Sequence, residues 1–231
     1  KTINLIKLKG SKMKKYLIAI LFFLFTFFQA SADVGVNVGI SGSAGLFAAS
    51  GSETSSGGET HKGNEHGAAG WYSVFIEKTI GDRLAIGVDY VPDALESETT
   101  ESIRYDKTTA DSASAVENKI QIDFQDLTTI YLSLNLTESI YAKVGYVQVD
   151  VITNETLGTG ASYGNTDLDG QSIGFGTNMT MDNGVFIRAE ANYMNFDSSA
   201  GVSDSTTGAD QTITLTNLDG VTGSLKIGKS F

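Results

Sequence analysis

Val185-Phe186-Ile187-Arg188-Ala189-Glu190-Ala191-Asn192-Tyr193 is the stretch on which the fold turns. Val185, Ile187, Ala189, Ala191 and Tyr193 fall on one side of a two-residue alternation, and Arg188, Glu190 and Asn192 on the other. Successive side chains of an extended strand point to opposite faces, so this segment is a strand with one apolar and one ionic face. A soluble sheet would turn the ionic face to water and the apolar face to its core, whereas a barrel in lipid reverses both. Period alone does not choose between them.

The same alternation recurs along the chain. It appears at Val34, Val36, Val38 and Ile40, running on to Leu46, and again at Tyr72, Val74 and Ile76. Further segments carry Leu84, Ile86, Val88 and Tyr90; Ile130, Leu132 and Leu134; and Ile140, Ala142, Val144 and Tyr146. Ile173, Phe175, Thr177 and Met179 precede the quoted stretch, and Val221, Gly223, Leu225 and Ile227 lead to Phe231. Eight strands are expected, with no helical period among them. Their connections alternate in kind. Gly81-Asp82, Thr137-Glu138-Ser139 and Asp182-Asn183-Gly184 are short and carry turn chemistry. About residues 50–68, 92–118, 153–169 and 197–211 are long and polar. Long loops are uncommon in a compact soluble domain, but short turns at one end and long loops at the other are what an outer-membrane barrel requires. The expected fold is all-β: an eight-stranded antiparallel up-and-down transmembrane barrel with short periplasmic turns and four long external loops.

The two faces point the same way. Tyr72, Tyr90, Tyr146 and Tyr193 lie near loop-proximal strand ends, where an aromatic girdle would meet the lipid headgroups. Gly87, Gly145, Gly174, Gly176 and Gly228 fall on the polar face, as a narrow interior needs. On this register Glu77, Asp89 and Glu190 point inward with Lys143, Arg188 and Lys226. Three acids against three bases suggest an ionic network in the lumen, because burying an unpaired charge is costly. Such a network is either a static plug or the lining of a narrow pore.

The chain has 231 residues, 41% of them hydrophobic, with 26 Gly, one Pro, no Cys and a net charge of −11. Scarce Pro suits long paired strands, and the absence of Cys excludes disulfides and thiolate sites. Met13 is a plausible start, leaving residues 1–12 as upstream read-through or a fragment. Lys14 and Lys15, the 13-residue apolar run Tyr16 to Phe28 and the small-residue site Ala30-Ser31-Ala32 form an export signal over residues 13–32. The run is shorter than the roughly 18–20 residues of a spanning helix. Cleavage near Ala32 would leave residues 33–231 as one barrel domain with ten basic and 27 acidic residues, a net charge of −17. That excess argues against a nucleic-acid partner.

The leader, the eight segments and the terminal Gly223-Ser224-Leu225-Lys226-Ile227-Gly228-Lys229-Ser230-Phe231 resemble the small eight-stranded outer-membrane barrels of the OmpA, OmpX and OmpW type, within the broad porin-like family. The resemblance spans residues 33–231 and implies residence in the bacterial outer membrane, among lipid and lipopolysaccharide. Leu225, Ile227 and Phe231 resemble the terminal signal read by the barrel-assembly machinery.

Other chemistry is sparse. The only histidines, His61 and His66, stand five apart with Glu59 and Glu65 in the first long loop, which is no recognised metal-ligand spacing. An outer-membrane esterase or lipid-modifying barrel would need one of them beside a serine or carboxylate, so no enzyme is expected. Asn165, Asp167 and Asp169, followed by Gly170, match the first half of a calcium loop, but Gly176 stands where that motif requires Glu. Weak calcium binding by these three, and no other cofactor, is the expectation. Acidic loops would repel lipopolysaccharide phosphates unless divalent cations bridge them. No residue names an external partner for the loops. The expected function is a surface-exposed structural barrel with at most slow passage of small solutes; the alternatives are an open channel for small or apolar solutes and, behind it, a lipid-modifying enzyme.

Overall fold

The computed structural model describes residues 34–55, 60–97, 99–109, 112–156, 162–204 and 211–231. The expected leader, residues 13–32, and the segment 1–12 before it lie outside the described residues. Twelve strands are described: β1 (Val36–Ser55), β2 (Thr60–Ile80), β3 (Leu84–Tyr90), β4 (Leu95–Glu96), β5 (Thr100–Thr109), β6 (Ser112–Asn135), β7 (Ile140–Thr156), β8 (Ser162–Tyr163), β9 (Thr166–Thr180), β10 (Val185–Phe196), β11 (Ser199–Asp204) and β12 (Gln211–Ser230).

Eight of them form the wall, in the order β1-β2-β3-β6-β7-β9-β10-β12, and β12 returns to pair with β1. Every pairing is antiparallel. The seam is closed at its lower end by Val36 N–H to Phe231 O (3.0 Å) and Phe231 N–H to Val36 O (2.9 Å). Closure leaves no sheet edge in that ring, as lipid demands of any spanning sheet. The short turns fall where expected. Gly81 and Gly184 take the left-handed conformation (φ 59° and 81°) in two of them, and Asn183 Oδ1 accepts from Val185 N–H at 3.0 Å. In the third, Thr137 Oγ1 accepts from the N–H groups of Ser139 and Ile140.

The long connections differ from expectation in one respect: most of their length is paired strand. β1, β2 and β6 run for 20, 21 and 24 residues, about twice the 9–11 that cross a bilayer. The ladder continues through Ser50–Ser55 and Thr60–Gly70, where the apolar alternation fades. An outer face that meets water needs no apolar residues, so strand hydrogen bonding goes on without that signal.

The two faces divide as the alternation predicts. Ile40, Val74, Leu132, Val144, Ile173 and Leu225 point outward and are 40–68% exposed, whereas Glu77, Lys143, Glu190 and Lys226 point inward and are at most 7% exposed. Nearer the long connections the preference inverts. Along β7, Val144 and Tyr146 face outward, but Val147, Val149 and Val151 are buried inside. Leu168, Met194 and Phe196 join them from β9 and β10 in an apolar core that fills the upper barrel.

Candidate functional site in the barrel lumen

Three wall strands carry Glu77, Arg188 and Tyr131 to one point. Arg188 Nη1 donates to both oxygens of Glu77, at 2.6 and 2.8 Å, and its Nε donates to Asn178 Oδ1 at 3.2 Å. Asn37 Nδ2 and Tyr131 OH donate to the same carboxylate, at 2.9 and 2.8 Å. Four charge-assisted bonds thus hold Glu77, which explains how a carboxylate survives almost wholly buried.

A second cluster lies alongside. Lys143 donates to both oxygens of Glu190, and Lys226 bridges Glu190 Oε2 (3.1 Å) and Asp89 Oδ2 (2.9 Å). Tyr131 links the clusters: Lys143 Nζ stands 4.8 Å and Lys226 Nζ 5.6 Å from its ring centroid. All six charged residues named from the sequence therefore meet in one lumen, three acids to three bases.

Among the inward aromatics, Tyr131 falls on the polar face that the alternation predicts, whereas Phe75, Tyr141 and Phe186 are not expected there. Phe75, Tyr131, Tyr141 and Phe186 each stand directly across from a glycine on the neighbouring strand: Gly39, Gly87, Gly176 and Gly228 in turn. A Cβ on Gly39 or Gly87 would sit 2.5 Å from the facing ring. The inward glycines thus accept rings as well as narrowing the lumen. The arginine at the centre lies 4.3 Å over Phe186 and 5.5 Å over Tyr141. Pairing each inward glycine with the ring at its own height on the next strand is the signal that would have found them.

Above Lys143 and Lys226 is a chamber of about 30 Å³, walled by hydroxyl and amide side chains and roofed by Val91, Leu127 and Met194. Leu127 enters the roof at a bulge in β6 between Gln125 and Thr128, where Asp126 takes φ 54°. The extra residue turns Leu127 inward and leaves Asp126 to the outer side.

The girdle tyrosines share a feature. Tyr72, Tyr90 and Tyr193 donate to Asp93 (2.5 Å), Asp126 (2.6 Å) and Asp219 (3.3 Å), and Tyr146 hydrogen-bonds Asp169. An apolar ring with its hydroxyl held by a carboxylate suits a boundary between apolar and polar surroundings.

The remaining sequence candidates are not brought together. Asp167 and Asp169 lie on β9 rather than in a loop, and alternate strand residues stand roughly 6.6 Å apart along one face instead of wrapping an ion. Asn165 Oδ1 is occupied by the N–H of Thr153 (3.0 Å), and Asp169 by Tyr146. His61 and His66 lie on β2, not in an unstructured loop; five residues apart, they point to opposite faces. Leu225, Ile227 and Phe231 share the outward face, with Phe231 72% exposed.

No family model and no curated protein matches the chain. Solved structures do. The outer membrane protein OprG from Pseudomonas aeruginosa superposes with a TM-score of 0.54 at 10% identity, over 84% of this chain and 95% of that one. The chain has the fold of a small outer-membrane β-barrel. Two looser likenesses are to the outer membrane protein AlkL in lipid bilayers (TM-score 0.45, 14% identity, 90% of this chain and 95% of that one) and to the outer membrane protease OmpT from Escherichia coli (TM-score 0.42, 11% identity, 88% and 99%). At these identities the small-barrel likeness carries the wall and its topology, and the lumen's chemistry rests on this chain's own residues.

Proposed function

We propose that the chain is an integral protein of the bacterial outer membrane, a surface-exposed structural barrel whose lumen is closed to all but slow passage of small solutes. One observation carries this reading: among the described residues the interior holds paired charges and rings below and an apolar core above, with a chamber of only about 30 Å³ between them. An eight-stranded barrel is just wide enough for side chains to fill it. The outward belt would rest in lipid, the acidic hairpins would rise among lipopolysaccharide headgroups, and Leu225, Ile227 and Phe231 would present the terminal strand to the assembly machinery. The reading gives the chain no catalytic role, because the two histidines diverge on an outer strand end, away from the interior charges.

The experiment is conductance in a planar bilayer containing the purified mature barrel. A silent membrane at moderate voltage is expected. Stable unitary openings would favour the second reading, a channel for small or apolar solutes, for which the apolar upper lumen is the specific argument.

A further inference from the structure

Ser172 and Asn192 are each more than nine-tenths buried (6% and 8% exposed) and line the chamber, yet Ser172 Oγ and Asn192 Oδ1 have no hydrogen-bond partner among the protein's atoms. Buried polar groups are nearly always paired, with protein or with ordered water. Lys143 and Lys226 line the same space. Each makes two bonds to carboxylate oxygens, and each ammonium carries a third N–H.

We propose that the chamber is a hydration site that binds two water molecules, bridging Ser172 and Asn192 to the ammonium groups of Lys143 and Lys226. Its size of about 30 Å³ suits two waters at roughly 10–15 Å³ each. Four groups of its lining residues call for such a partner: the third N–H of Lys143 and of Lys226, the Ser172 hydroxyl and the Asn192 amide oxygen. Two waters with two to four bonds apiece satisfy all four. Charge favours water over an ion, because Lys143 and Lys226 are balanced by Glu190 and Asp89. Directly above, Val91, Leu127 and Met194 close the chamber with apolar side chains.

The inference rests on the closed lumen proposed above, and its failure is distinguishable: openings in a planar bilayer break that reading, whereas a silent bilayer with a dry chamber breaks only this one. The test is water-edited solid-state NMR of the full mature barrel in deuterated lipid. Water magnetisation is expected to reach Ser172 and Asn192 several-fold faster than Val149 and Leu168. Ser172→Ala gives a second readout whose sign decides. If Oγ is held by water, its removal lowers the thermal unfolding midpoint; if it is buried dry and unpaired, its removal relieves a penalty and raises the midpoint. Transfer to Ser172 no faster than to Val149 overturns the proposal, as does a Ser172→Ala midpoint at or above that of the unchanged barrel.

Discussion

Glu77 and Arg188 are 111 residues apart in sequence and form one bidentate pair in the lumen. Glu77→Leu leaves the guanidinium buried without its anion and should cost about 3–5 kcal/mol, while Glu77→Leu/Arg188→Met should regain most of that loss. Urea unfolding in lipid vesicles, followed through Trp71, the chain's one tryptophan, measures both. Gly87→Ala is a steric test. The new Cβ would meet the Tyr131 ring at 2.5 Å, and that ring is held by its bond to Glu77. A loss of about 1–3 kcal/mol is expected in the same assay. At this scale the sequence was partly legible. Charge balance and strand parity put the six ionic residues in one lumen, but which acid meets which base depends on barrel stagger, which a single strand does not encode. The inward rings were hidden for another reason: Phe75 and Phe186 sit at ionic-face positions, where an apolar side chain contradicts the expected pattern until the facing glycine is known.

Strand β7 changes its apolar face part-way along its length. From Ile140 to Tyr146 the aliphatic residues face outward, and from Val147 to Val151 they face inward, with Gln148 and Asp150 now outside. The inversion occurs at a girdle tyrosine, and β10 repeats it between Tyr193 and Met194. On the proposed placement, the wall below this level faces lipid and the wall above it faces water, like a soluble sheet. Leu132→Arg on the belt should therefore cost roughly 2–4 kcal/mol near the midplane, and Gln148→Arg almost nothing. Refolding yield and urea unfolding in vesicles separate the two. The inversion was present in Tyr146-Val147-Gln148-Val149-Asp150-Val151, but a search for one continuous pattern ends where the pattern changes sign. That is why the strands run further than the reading allowed and why the upper core went unforeseen. The outer end of β7 also titrates. Burial lifts the Glu155 carboxyl above its usual range, although Tyr163 N–H donates to it and pulls the other way. A raised folded-state value means the native segment holds its proton more tightly, so its stability falls as pH rises through the raised value. Amide exchange at Tyr163, corrected for its intrinsic pH dependence, should quicken over that interval, and Glu155→Gln should remove the response.

The molecule as a whole is a closed wall, and closure comes from pairing the first wall strand with the last. On the proposed placement its outward apolar belt lies in a bilayer, with Tyr72, Tyr90, Tyr146 and Tyr193 at the boundary. The absence of cysteine allows single labels to be placed without background. The decisive measurement is the accessibility of spin labels at Val144→Cys and Asp150→Cys, two outward positions of one strand on either side of Tyr146, in barrels reconstituted into liposomes. The account predicts that the label at 144 collides with oxygen dissolved in the lipid and is shielded from a water-soluble nickel reagent, with the order reversed at 150. Equal access of the nickel reagent to both positions would contradict it.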